Sequence, residues 1–128
     1  MILDTSALLA VLWNEPEAER FASAMESASV LRMSAASYVE AAIYLDRNLD
    51  EVRRAMLDSF LAEFSIRIES VTAEQALLAR QALVLFGKGR HKAGLNFGDC
   101  FSYALAKAYH EPLLFKGGDF GYTDLDAA

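Results

Sequence analysis

The chain has 128 residues, 54% of them apolar and 23% charged, which suits one domain with a buried core and excludes a disordered chain. With 12 basic and 18 acidic residues its formal charge is −6, which excludes holding nucleic acid by bulk electrostatics unless cations or a local basic patch offset the acids. The single Cys100 excludes an internal disulfide and a cysteine-built zinc site, and no apolar run approaches the roughly 18 residues of a membrane span.

Met1-Ile2-Leu3 reads as a short buried strand that ends at Asp4 and runs straight into a helix, with Leu8, Leu9, Leu12 and Trp13 on helical spacing. Asn14 to Glu17 breaks that helix. Pro16 suits the first turn of the next one, which runs to about Ser27. Val30 to Met33 is a second strand candidate, and Ser34 to Asn48 a helix. Asn48-Leu49-Asp50 breaks it, and Asp50 can cap a further helix to about Phe64. Ile66 to Glu69 alternates as a strand. Thr72 to Gln75 resembles a capping box opening a helix to Phe86. Gly87 to Gly94 is a loop, Asn96 to His110 a helix, Pro112 to Phe115 a last buried strand, and Gly117 to Gly121 a turn. Strands alternating with helices imply a parallel sheet covered by helices on both faces.

Four acids fall at related places in this pattern. Asp4 and Asp119 each follow a strand, while Glu40 and Asp99 lie in the early turns of helices. In a parallel sheet, strands end and helices begin at the same edge, so all four can meet in one crevice. Each also has a plainer reading. Asp4 with Thr5 and Ser6 can cap a helix, Glu40 can close a capping box with Ser37 if that helix starts late, Asp99 can do so with Asn96, and Asp119 suits a turn. Four neighbouring carboxylates repel one another, and oxygen-loving divalent cations such as Mg²⁺ or Mn²⁺ relieve that repulsion. Phosphodiester hydrolysis is the chemistry such a site suits.

Asp4-Thr5-Ser6, Glu40 at the end of the run from Ser34, Asn96 to Ala106 around Asp99, and Lys116-Gly-Gly-Asp119-Phe120 resemble the PIN-domain ribonucleases, and among them the VapC toxins of bacterial toxin–antitoxin pairs. The resemblance spans essentially the whole chain. It implies a PIN-like three-layer α/β/α sandwich with a short, mostly parallel central sheet, forming one nuclease domain over residues 1–128. It implies a metal-dependent endoribonuclease in which Asp4, Glu40, Asp99 and Asp119 are the catalytic and metal-binding quartet, with Mg²⁺ or Mn²⁺ as cofactor and RNA as substrate. It implies a homodimer, held inactive by a cognate VapB-type antitoxin. Gly118 departs from the acidic or polar residue often found there in the family.

Thr5, Ser6 and Asn96 are candidates for polar support of this site, with helix capping equally open. Lys88, Arg90, His91 and Lys92 form the one basic cluster, either a guide for the RNA backbone or a solvated loop. Cys100 reads as a small buried helix residue. Two rivals differ in class. An aspartyl-phosphate enzyme needs further acids near Asp4, where Ser6 stands instead. A non-catalytic acidic module would bind only a basic partner. The chain is expected to be cytoplasmic, without membrane association, since its start lacks a basic targeting segment and cleavage site.

Overall fold

Each strand is two or three residues long, so the sheet serves less as a surface than as a set of short posts from which helices leave. The computed structural model describes residues 1–47 and 51–128, without the side chains of 46 and 47. In chain order the elements are β1 (Ile2–Leu3), α1 (Thr5–Leu12), α2 (Ala18–Ser27), β2 (Arg32–Ser34), α3 (Ala35–Arg47), α4 (Glu51–Glu63), β3 (Arg67–Glu69), α5 (Ala73–Phe86), α6 (Phe97–Tyr109) and β4 (Leu113–Leu114). A 3-10 turn, Asp119–Tyr122, follows. The expected break at Asn48-Leu49-Asp50, with Asp50 as a cap, lies outside the described residues.

The sheet order is β3-β2-β1-β4, and all four strands run parallel, where the sequence led us to expect a mostly parallel sheet. Ile2 pairs with Arg32 on one side and Leu113 on the other, and Leu3 pairs with Leu114. Successive strand residues face opposite ways. Ile2 and Leu113 therefore pack with α5 and α6, while Leu3, Met33 and Leu114 pack with α1 to α4. That gives three layers. Ile2, Leu3, Leu113 and Leu114 are all buried, which is how strands covered on both faces behave. Each such side chain contributes about 1.5–3 kcal/mol of burial.

The boundaries move by one or two residues from those expected. Asn14 takes a left-handed φ of 51° and ends α1, and the Ala18 amide donates to the Glu15 carbonyl at 2.9 Å. That turn holds Pro16 and Glu17, so α2 starts at Ala18 and not at Pro16. β2 starts at Arg32, two residues later than Val30. Asn96 and His110 are caps of α6; His110 has φ 53°. Residues 126–128 pair beside Leu113 and cover the outer side of β4. No described helix is long and apolar enough to cross a membrane.

The topology fixes where a crevice opens. From β1 the chain steps outward to β2 and then β3, and returns to β4 on the other side of β1. The direction of winding switches between β1 and β4, and the helices on either side of that switch leave on opposite faces. The residues just past β1 and β4 stand there: Asp4 at once, and Asp119 after the loop that follows β4.

Candidate active site

Asp4 caps α1, as its sequence position allows, but does more. Its Oδ2 accepts the Ser6 amide at 2.9 Å and the Ser6 hydroxyl at 2.6 Å. Its Oδ1 accepts the Ser102 hydroxyl, from α6, at 2.6 Å. The carboxylate is 4% exposed and is held by hydroxyl and amide donors alone. The Ser6 hydroxyl in turn accepts the Lys116 amide at 3.0 Å, which ties the end of β1 to the end of β4. The Lys116 side chain turns away, to Glu15 and Glu17.

Glu40 has no capping task. α3 begins at Ala35, so Ser37 lies inside the helix, where its hydroxyl meets that of Ser102 at 3.1 Å. Glu40 is half-buried, and burial raises its pKa. The Thr5 hydroxyl opposes the shift and the charge of Asp4 adds to it. That hydroxyl has one proton, and it already donates to the Ser37 carbonyl at 3.1 Å, so its help to Glu40 is partial.

Asp99 is the third residue of α6 and completes a capping box. Its carboxylate accepts the Asn96 amide at 2.9 Å, and the Asn96 side chain accepts the Asp99 amide at 2.9 Å. The capping box therefore leaves Asp99 within reach of the charges of the other acids. Burial pushes its carboxyl up to about 6; the Asn96 amide opposes this, and the charges of Asp4, Glu40 and Asp119 add to it. Asp119 is exposed at the start of the 3-10 turn and reaches Asp99 through its field.

Asp4, Glu40 and Asp119 thus all stand near enough to Asp99 for their charges to act on it. They do not form a closed cage: among the described residues no three acidic, histidine or cysteine side chains stand close enough to grip an ion directly. Nor does any described lysine or arginine pair with Asp4, Glu40, Asp99 or Asp119. The donors are hard carboxylate oxygens, from buried Asp4 to exposed Asp119. That set fits Mg²⁺ or Mn²⁺, which keep several waters and need only one or two direct carboxylates.

The basic loop divides. Lys88 and Arg90 are exposed. His91 is half-buried, its Nδ1 accepting the Ala93 amide at 3.1 Å and its ring edge-on to Phe86. The Lys92 ammonium lies 4.5 Å from the Tyr122 ring centre, which joins this loop to the turn that carries Asp119. Cys100 is buried, as expected, and burial pushes its thiol up to about 11, with the charge of Asp99 adding to the shift.

Sequence reasoning missed Ser102 and took Ser37 only as a capping partner of Glu40. Ser102 had a signal: it lies three residues after Asp99, on the same face of an otherwise apolar helix.

The profile of the PIN domain family matches residues 1–125. The chain is similar to Ribonuclease VapC30 of Mycobacterium tuberculosis, 50% identical over 125 residues, covering 98% of this chain and 95% of that protein. Among solved structures it is similar to VapC20 of Mycobacterium tuberculosis, described as a sarcin–ricin loop cleaving toxin, with a TM-score of 0.79 at 19% identity, covering 99% of this chain and 97% of that one. It is also similar to VapBC2 from Rickettsia felis bound to a DNA fragment from their promoter, with a TM-score of 0.75 at 16% identity, covering 99% and 96%.

Proposed function

The chain belongs to the PIN-domain family of VapC ribonucleases, and from that premise we propose that it is an endoribonuclease toxin that hydrolyses RNA with a divalent cation held by Asp4, Glu40, Asp99 and Asp119. One observation carries the metal reading. Burial pushes Asp99 up to about 6, the charges of Asp4, Glu40 and Asp119 add to that shift, and among the described residues no basic side chain pairs with any of the four. A bound Mg²⁺ or Mn²⁺ supplies polarisation of the scissile phosphate and a water acidic enough to attack it near neutral pH.

The chain's own residues prepare the site. Ser6 and Ser102 fix the orientation of Asp4; Ser6 takes both lone-pair positions of Oδ2, and Oδ1, with one bond from Ser102, keeps a lone pair for a ligand. The Asn96–Asp99 capping box fixes Asp99 at the start of α6. Thr5 spans α1 and α3 and keeps Glu40 close to Asp4. Lys88, Arg90 and Lys92, on the loop that leads to Asn96, guide the RNA backbone by charge, and His91 braces that loop from inside.

Two partners complete the reading. A VapB-type antitoxin neutralises the crevice with a basic side chain, an arginine by preference, because a guanidinium matches carboxylate geometry with paired hydrogen bonds. A second copy of this chain covers the apolar grooves beside the site. The larger, about 490 Å³, includes Val39, Ile43 and Phe101, and Phe97, 78% exposed, lines both it and its neighbour. The test is RNA cleavage by the purified chain with Mg²⁺ or Mn²⁺ and with EDTA. Cleavage that needs the metal and is stopped by a co-expressed antitoxin supports the reading. Robust cleavage in EDTA overturns the metal reading, and no cleavage under any condition leaves an acidic binding module in its place.

A further inference from the structure

α6 carries a glycine in its first turn, Gly98, at a place where the backbone does not call for one. The left-handed glycines of this chain are Gly89, Gly94 and Gly117, and Gly98 is not among them. Glycine weakens a helix relative to alanine, so its presence here has a cost without a backbone reason. The reason lies across the crevice. A Cβ at position 98 would stand 2.2 Å from Glu40 Oε1, 2.7 Å from its Cδ and 2.9 Å from Oε2. The three nearest atoms are all the carboxyl group of Glu40, and all three contacts are shorter than a Cβ tolerates.

We infer that Gly98 is a positioning residue for Glu40: its missing side chain is the seat that lets the Glu40 carboxylate rest on the first turn of α6, beside Asp99. The inference depends on the reading of Glu40 as a site acid. It assigns a cause to a feature that helix propensity alone leaves unexplained. The obstacle a methyl would meet is the far end of a flexible side chain, not backbone. Under Gly98→Ala the helix therefore stays and the carboxylate swings out. Stability and activity move in opposite directions, because alanine favours the helix while the site loses one of its acids.

The experiment is a double-mutant cycle on the full chain with Mg²⁺, using Gly98→Ala, Glu40→Gln and the two together, with kcat and KM on RNA and thermal melts with and without EDTA. In EDTA, Gly98→Ala should melt higher than the native protein, by roughly 2–5 °C. Its kcat should fall by about 10²-fold, the size expected when a site group is displaced by an ångström or so. Its Mg²⁺-induced rise in melting temperature should shrink. The combined variant should cleave no more slowly than Glu40→Gln alone, since the carboxylate is already out of place. Native kcat in Gly98→Ala, or losses that multiply in the combined variant, would overturn the inference while leaving Glu40 as a site acid. A Gly98→Ala protein that melts lower than native would also overturn it, because the contact would then be carried by the helix itself. If Glu40→Gln cleaves like the native protein, the reading of Glu40 falls, and this inference with it.

Discussion

At its C-terminal end α6 delivers Tyr109 and leads on to Glu111, and there Glu69 and Glu111 both meet cations. Arg32 donates to Glu69 at 2.7 Å and to Glu111 at 3.1 Å, with its guanidinium 4.4 Å from the Tyr109 ring centre. The Met1 amino group meets Glu111 at 2.5 Å. Burial pushes the Glu111 carboxyl up, yet the amino group and Arg32 outweigh it and hold the carboxyl below its ordinary range. At its N-terminal end the same helix delivers Asp99 among Asp4, Glu40 and Asp119, and there the carboxyl rises to about 6. The fold evidently can pair its acids. At one end of α6 it does so, and at the other Lys116 contributes its backbone amide to Ser6 while its side chain turns to Glu15 and Glu17. Charge left uncompensated beside compensated charge marks a place where something from outside the chain completes the balance.

The comparison breaks most visibly in activity. Asp4→Asn or Asp99→Asn should lower RNA cleavage by roughly 10³-fold, several kcal/mol of barrier, because the site loses charge that a cation needs. Both variants should still melt cooperatively. A variant that keeps native turnover would remove the acidic end from the account.

The opposite end should respond in stability instead. Arg32, whose side chain is 16% exposed, holds two carboxylates. Arg32→Met should cost about 1–2 kcal/mol, a drop of several degrees in melting temperature, and leave cleavage at 25 °C unchanged. Glu111→Gln sharpens this through pH. Its folded carboxyl is lowered, so its contribution is present above the ordinary glutamate value near 4.5 and is lost as pH falls through the lower folded value. The gap between native and variant melts should therefore be widest near pH 7 and close towards pH 3. A gap that stays constant would mean that the pairing is not what Glu111 contributes.

How much of this could be read from the chain itself depends on what each residue needs. Asp4 was legible because an apolar strand runs into a helix at that point, and Asp99 because Asn96 lies three residues before it. Glu40 was legible as an acid in an early helical turn among apolar neighbours. Sequence left open whether these were caps or site members. The structure answers the capping half: Asp4 and Asp99 cap their helices, and Glu40 does not. Ser102 and Gly98 were out of reach because their roles lie across an interface: one reaches Asp4 from another helix, the other makes room for a side chain of α3. Strand alternation gave the layers and the parallel sheet. The start of α2 was missed because Pro16 fits a turn closed on Glu15 as well as a first helical turn.

A smaller effect belongs to Asp119. Being exposed, it adds to the repulsion through solvent. Asp119→Asn should raise the melting temperature in EDTA by only a degree or two, under about 1 kcal/mol, and reduce the stabilisation by Mg²⁺. A lower melt in EDTA together with an unchanged Mg²⁺ response would make Asp119 a turn residue and leave a site of three acids.

If the acidic end of α6 is built for a cation, the melting temperature of the native protein from pH 5 to 7.5 should respond differently in EDTA and in Mg²⁺. Asp99 has its folded carboxyl raised, to about 6, so the metal-free protein binds its proton more tightly than the unfolded chain does. Stability in EDTA should then fall as pH rises through that value. Over this range the fall should be about 1 kcal/mol or less after allowing for solvent screening of a carboxyl that is only partly buried. With Mg²⁺ the cation replaces the proton, and the melt at neutral pH should rise until the slope flattens or reverses. A profile that is flat in EDTA, or that falls identically with and without Mg²⁺, would contradict the account.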